Sequence, residues 1–116
     1  MRLVVQEIAG ENAITRDTGR ALYNRIHPAL LAGEEVELDF SGVRVFASPF
    51  FNTAIGLLYQ DMTPEQLTEH LKLQHLTLAG KSTLRVVIET ARTVYGSDEA
   101  EKAFQVAIRE ELLADA

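Results

Sequence analysis

The sequence predicts a single α/β domain, a sandwich with a central sheet and helices packed on it. Its 116 residues suit one domain. Strand patterns alternate with helix patterns along the chain, which is typical of α/β folds. A hydrophobic fraction of 47% and a charged fraction of 24% are ordinary for a globular protein, so a disordered chain is not expected.

The first elements are a strand and a helix. Arg2–Ile8 is rich in apolar and β-branched residues, which favours a strand, and a short second strand is expected at Ala13-Ile14. Thr15 is a suitable N-cap for a helix with Leu22, Ile26 and Leu30 on one face. Pro28 predicts a kink or restart in that helix, and Gly33 should end it.

A second strand-to-helix unit follows. Val36–Phe40 alternates apolar and acidic residues, which predicts a strand. Ser48 at the N-cap with Pro49 after it begins a helix that is expected to reach about Gln60. Thr63 and Gln66 have the spacing of a capping box, so a short helix should begin there.

The third unit is a strand over Lys72–Leu78, a loop at residues 79–82, and a helix that Gly96 stops. A last helix is predicted over residues 97–113, with Ser97 as its cap. Since right-handed crossovers place strand-to-helix loops along one edge of a sheet, the Ser48 and Lys81 loops should be neighbours.

Composition and charge narrow the class of partner. The net charge of −6 opposes binding to a phosphate backbone, so nucleic acid is not expected. No segment is long and apolar enough for a membrane span, and no secretory signal is visible. The absence of cysteine fits a reducing compartment. We therefore expect a cytoplasmic protein.

Gly80-Lys81-Ser82 resembles the end of a phosphate-binding loop and lies between a strand and a helix. The full pattern needs a glycine five residues earlier, where this chain has His75. A plain helix start is therefore the first interpretation, and a small-ligand or nucleotide sensor is the alternative.

No residue pattern predicts catalysis or a cofactor. The three histidines, His27, His70 and His75, lack the spacing of a helical metal pair. Ser48 lacks a recognisable base and a nucleophile elbow. Glu37 and Asp39 share a strand face, where an exposed polar face or loop contacts are the simpler interpretation. We expect no enzyme, no metal and no cofactor.

Two segments resemble a known family. Glu35–Val43 (EVELDFSGV) and Phe46–Asn52 (FASPFFN) are similar to the STAS-like domain of unknown function, a bacterial relative of the STAS domains of sulphate transporters and anti-sigma factor antagonists. The resemblance runs from about Thr15 to Tyr95. It implies one STAS-like domain over residues 1–116, with its core at 15–95 and a central mixed sheet.

The resemblance also implies a switch. In anti-sigma factor antagonists, a serine or threonine at this helix start is phosphorylated by a partner kinase. The family's Asp-Ser-Ser/Thr-Gly run falls on Ala47-Ser48-Pro49-Phe50, so the usual acceptor position is Pro49, which has no hydroxyl. Ser48, one residue earlier, is then the candidate phosphosite.

The leading hypothesis is a non-enzymatic, regulatory protein-interaction module in bacterial signalling or transcription control. The resemblance makes a GHKL-type kinase or a transcription regulator the expected partner, and a homodimer is an alternative. The candidate docking residues lie at the predicted helix start: Ser48, Pro49, Phe50, Phe51 and Asn52.

Overall fold

Two small parallel sheets and five α-helices make up residues 1–95, the part of the chain that the computed structural model describes. The predicted α/β class is confirmed. The predicted last helix, residues 97–113, and the Gly96 stop lie outside the described residues.

The larger sheet has the order β1-β3-β5, formed by Arg2–Val4, Val36–Asp39 and Leu71–Gln74. The smaller sheet pairs β2 (Asn12–Ala13) with β4 (Val45–Phe46). Every strand pair among residues 1–95 is parallel, whereas the resemblance implied a mixed sheet.

The register of the larger sheet separates its two faces. Leu3, Leu38 and Leu73 are aligned across the three strands, and Leu38 is fully buried. Because side chains alternate along a strand, the adjacent row of Arg2, Glu37 and Lys72 points to the opposite face. One face of the sheet therefore joins the core, and the other is polar.

Helices connect the parallel strands of this sheet. Their bounds are Gln6–Ala9 for α1, Arg16–Leu31 for α2, Ser48–Ala54 for α3, Pro64–His70 for α4 and Leu78–Val94 for α5, with a 3-10 helix at Gly56–Gln60. Thr15 caps α2 and the Thr63–Gln66 capping box begins α4, as predicted.

Two early predictions are wrong in detail. The strand predicted over Arg2–Ile8 ends at Val4, and α1 follows it. The break predicted at Pro28 is absent, because α2 continues to Leu31. Pro28 and Asn24, whose carbonyl a proline cannot bond, are both exposed, so water can satisfy the lost partner. Gly33 follows the helix with a φ of 82°, as a C-terminal glycine should.

The helix predicted from Ser48 to about Gln60 is divided in two. Its N-cap is Ala47, no side chain caps it, and Ser48 is already its first residue. It ends at Ala54, and the chain continues through Ile55 into the 3-10 helix. The prediction of Ser48 as an N-cap is therefore wrong.

The last unit also begins differently from the prediction. β5 ends at Gln74, and α5 begins after Thr77, whose hydroxyl accepts a hydrogen bond from the Gly80 backbone N–H at 3.0 Å. Residues 79–82, predicted as a loop, are therefore the first turns of α5. The apolar leucines of this segment predicted a strand as far as Leu78, but the strand ends at Gln74 and Leu78 is 82% exposed.

The core lies between the larger sheet and helices α2, α3 and α5. Helices α2 and α3 approach closely at Gly19, where a methyl group would overlap the Thr53 hydroxyl and the Phe50 carbonyl. The largest fully buried side chains are Phe40, Phe50, Phe51, Leu22, Ile26 and Leu30.

Candidate functional site

The predicted docking residues divide into a buried pair and an exposed set. Ser48, Pro49 and Asn52 are exposed on α3. Phe50 and Phe51 have no exposed area, so the prediction that they contact a partner is wrong. Consecutive helical residues point about 100° apart, and both are buried because α3 packs against α2 on one side and α5 on another.

Phe50 and Phe51 fix α3 to the core through contacts between aromatic rings. The Phe51 ring stacks on Phe46 at a centroid distance of 5.6 Å, and lies 5.4 Å from Phe50 and 6.1 Å from Phe40. Aromatic pairs at such distances stabilise a core beyond their buried area. The exposed residues of α3 thus stand on a rigid aromatic base.

Ser48 opens onto a shallow groove shared with the first half of α5. The groove has a volume of about 490 Å³ and is lined by Ser48, Ser82, Thr83, Arg85 and Val86. Ser48 and Ser82 are therefore neighbours, as expected for the Ser48 and Lys81 segments, although the second segment is helical.

The two segments that meet at the groove are basic, although the chain is acidic. Residues 43–60 contain one charged residue, Arg44, and residues 75–88 contain Lys81 and Arg85, with no acidic residue in either stretch. This local excess of positive charge contrasts with the net charge of −6 of the chain.

Gly80, Lys81 and Ser82 do not form a phosphate-binding loop, so that candidate site is corrected. Gly80 is buried, and a methyl group there would lie 3.0 Å from the Leu76 side chain and 3.0 Å from the Phe46 ring. Its backbone N–H is bonded to Thr77. The glycine thus lets α5 approach Phe46, and its N–H is not available to a phosphate.

A second polar cluster, which the sequence did not predict as a site, lies at the carboxyl ends of β3 and β5. Asp39 is only 8% exposed. Its Oδ1 accepts hydrogen bonds from the Ser41 backbone N–H at 2.9 Å and from the Ser41 hydroxyl at 2.7 Å. Its Oδ2 accepts one from Arg2 Nη2 at 2.9 Å. The loop contacts expected of Asp39 are present, and they shield its side chain from solvent although it lies on the polar face of the sheet.

His75 completes this cluster. It lies just after β5 rather than within a strand, and its φ of 62° is uncommon for any residue except glycine. Its Nδ1 lies 2.9 Å from Asp39 Oδ1, while 61% of its side chain is exposed. The bonds from Ser41, followed by that from His75, hold the pKa of Asp39 well below its ordinary value.

The other two histidines have different surroundings. His27 Nε2 lies 2.9 Å from Asp61 Oδ2, and its ring stacks on Tyr23 at 4.6 Å. His70 Nδ1 is buried without a hydrogen-bond partner. No group of three or more His, Asp or Glu side chains within residues 1–95 is placed to hold a metal ion. Across the same residues, no helix is long and apolar enough to cross a membrane.

Comparison with known proteins places the fold in a family. No curated protein and no solved structure matched the chain. The family model of the STAS-like domain of unknown function (DUF4325) matches residues 18–81, from the first turn of α2 into the first turn of α5. This match includes both segments on which the resemblance rested and covers more than half of the sequence. The chain belongs to the family of STAS-like domains of unknown function.

Proposed function

We propose that this protein is a non-enzymatic interaction module that binds an acidic surface of a regulatory partner protein. The docking face is the groove between α3 and α5, which Ser48 and Val86 line, together with the exposed Asn52 of α3. The observation that carries the proposal is the joining of two acid-free, basic segments at one groove on an otherwise acidic chain.

Rigidity and exposed apolar area support this choice of face. The aromatic cluster under α3 keeps its exposed residues in place without a partner, and preorganised contacts cost less entropy on binding. Val86 is 38% exposed and lies at the groove beside polar residues. An apolar contact surrounded by basic and hydroxyl groups suits a protein surface that carries carboxylates.

Site-specific crosslinking in the native cell tests the proposal. A photoreactive residue placed at Asn52 or at Val86 should crosslink one and the same protein, and the same residue at exposed Asn24 on α2 should not. Lys81→Glu should then weaken binding of the purified partner, with rising salt weakening the native complex as well.

Lys72→Glu is the matched control. It makes the same charge change at an exposed position on β5, at the cost of one exposed hydrogen bond to the Thr68 carbonyl. The proposal fails if Lys81→Glu and Lys72→Glu reduce binding equally, or if neither does. If crosslinks form only to a second copy of this chain, the groove is a surface for self-association and the proposal of a partner protein is wrong.

Ser48 is the proposed point of regulation of this docking. A phosphate would add about two negative charges to the groove and so reduce its attraction for an acidic partner. Ser48→Glu should weaken the complex while Ser48→Ala leaves it intact. Intact-mass analysis of the protein from its native cell checks the modification itself, and no phosphate at Ser48 under any growth condition would end this part of the proposal.

A further inference from the structure

The exposed edge of the Asp39 cluster presents an oriented imidazole. Asp39 has accepted bonds from Ser41 and Arg2 and is held ionised, and an ionised carboxylate can only accept hydrogen bonds. The 2.9 Å contact with His75 therefore requires the proton on Nδ1 of the imidazole. In the neutral ring, the lone pair then belongs to Nε2.

The surroundings of Nε2 distinguish His75 from His27. That of His27 is already engaged by Asp61 at 2.9 Å, and its side chain is 20% exposed. The His75 side chain is 61% exposed, with its Nδ1 engaged by Asp39. A carboxylate that accepts a hydrogen bond from one ring nitrogen fixes the tautomer and the orientation of the ring, so the lone pair lies on the other nitrogen.

The surroundings of His75 include one cation and one further acid. Arg2 Nη2 binds the other oxygen of the carboxylate that holds the imidazole, and guanidinium N–H groups are suited to phosphate oxygens. Glu37 Oε2 lies 3.8 Å from Arg2 Nε and partly offsets that charge. The left-handed backbone at His75 is a second sign of a specialised position, since such conformations cluster at functional sites.

We infer that Nε2 of His75 is a phosphoryl acceptor that takes the phosphoryl group from a donor with a P–N bond. The Nε2 lone pair forms a new N–P bond, and the P–N bond of the donor breaks. The electron pair of the broken P–N bond stays on the donor nitrogen. If that nitrogen is protonated in the donor, it leaves as a neutral amine. The imidazolium that results keeps its proton on Nδ1, where it is hydrogen-bonded to Asp39. The negative charge of the Asp39 carboxylate balances the positive charge of the ring.

Phosphoramidate is the probe that tests this inference on the full chain, with ammonia as the leaving group. Tandem mass spectrometry gives the rate at each histidine, and phosphorus NMR distinguishes phosphate on Nε2 from phosphate on Nδ1. His75 should react on Nε2 about tenfold faster in the folded chain than in the same chain in concentrated urea, where Asp39 no longer holds the ring. His27 should react more slowly in the folded chain.

His75→Asn is the control variant, because Asn tolerates a left-handed backbone and its amide can donate to Asp39. It should fold as the parent does and lose the fast phosphorylation. Equal or slower reaction of His75 in the folded chain, or phosphate on its Nδ1, overturns the inference. Both readouts come from the parent protein, so neither depends on whether a variant folds.

Discussion

The chain leaves a parallel strand at the end of β3 and again at the end of β4, and the polar side chains at these two places have different surroundings. Asp39, the last residue of β3, receives bonds from Ser41, Arg2 and His75 and is nearly buried. After β4, Ser48 caps nothing and faces a groove. The polar side chain at the end of β3 is closed off from solvent by hydrogen bonds, so we call this the closed strand end. The open strand end, after β4, is held in place by the aromatic rings packed under α3.

The two strand ends differ in how many of their polar groups are engaged in hydrogen bonds within the domain. The hydrogen-bond network at Asp39 fixes the backbone of two neighbouring strand ends, and leaves His75 as its exposed member. In α3, Phe50 and Phe51 are buried in the core. The Ser48 hydroxyl and the Asn52 amide are exposed at the surface. A strand end with unused polar groups is the better candidate for a docking surface.

Truncation of the aromatic base should have the largest effect. Phe51→Ala is expected to cost about 3–5 kcal/mol in the free energy of unfolding, because it removes a fully buried ring that contacts three others. Asn52→Ala, one residue further and exposed, should change stability by less than about 0.5 kcal/mol. Urea denaturation of both variants measures this, and equal costs would contradict the buried-and-exposed division of α3.

Loss of the carboxylate at the closed strand end should come next, and it should depend on pH. Since the pKa of Asp39 is lower in the folded chain, the unfolded chain binds more protons in acid. The stability that Asp39 provides is therefore complete above about pH 4 and is lost as the pH falls further.

Urea denaturation from pH 7 downwards tests this sign with Asp39→Asn. The gap in stability between the parent and Asp39→Asn should shrink as the pH drops below about 4. Glu37→Gln removes the neighbouring carboxylate of β3 without touching the Ser41 and His75 bonds, so it should keep the acid dependence of the parent. A constant gap for Asp39→Asn would contradict the network.

The smallest effect is expected from the open strand end. Thr77→Ala removes a side chain that caps α5 and should cost about 1 kcal/mol. Ser48→Ala removes a hydroxyl that caps no helix, so it should change stability by less than about 0.5 kcal/mol. Thermal or urea unfolding of the pair compares them, and a cost for Ser48→Ala equal to that of Thr77→Ala would restore Ser48 as a cap.

Local signals predicted the elements whose cause lies within a few residues. Thr15 and the Thr63–Gln66 capping box begin their helices as predicted, because a cap depends only on a side chain and the backbone three residues later. The strand Val36–Asp39 follows from its alternation, and its family segment is included in the matched region. The start of α5 was displaced because Thr77, Ser82 and Thr83 are all hydroxyl residues that could act as its cap. The start of α3 was displaced because its N-cap position is taken by Ala47, which has no capping side chain.

The sequence by itself determined the α/β class, the family and the helix start around Ser48. Tertiary structure alone decided which polar groups meet, because Arg2, Asp39 and His75 are distant in the chain and become neighbours only through the parallel order of β1, β3 and β5. Tertiary structure also decided that both Phe50 and Phe51 are buried in the core. A helix in contact with neighbours on two sides buries more of its circumference than periodicity against a single face predicts.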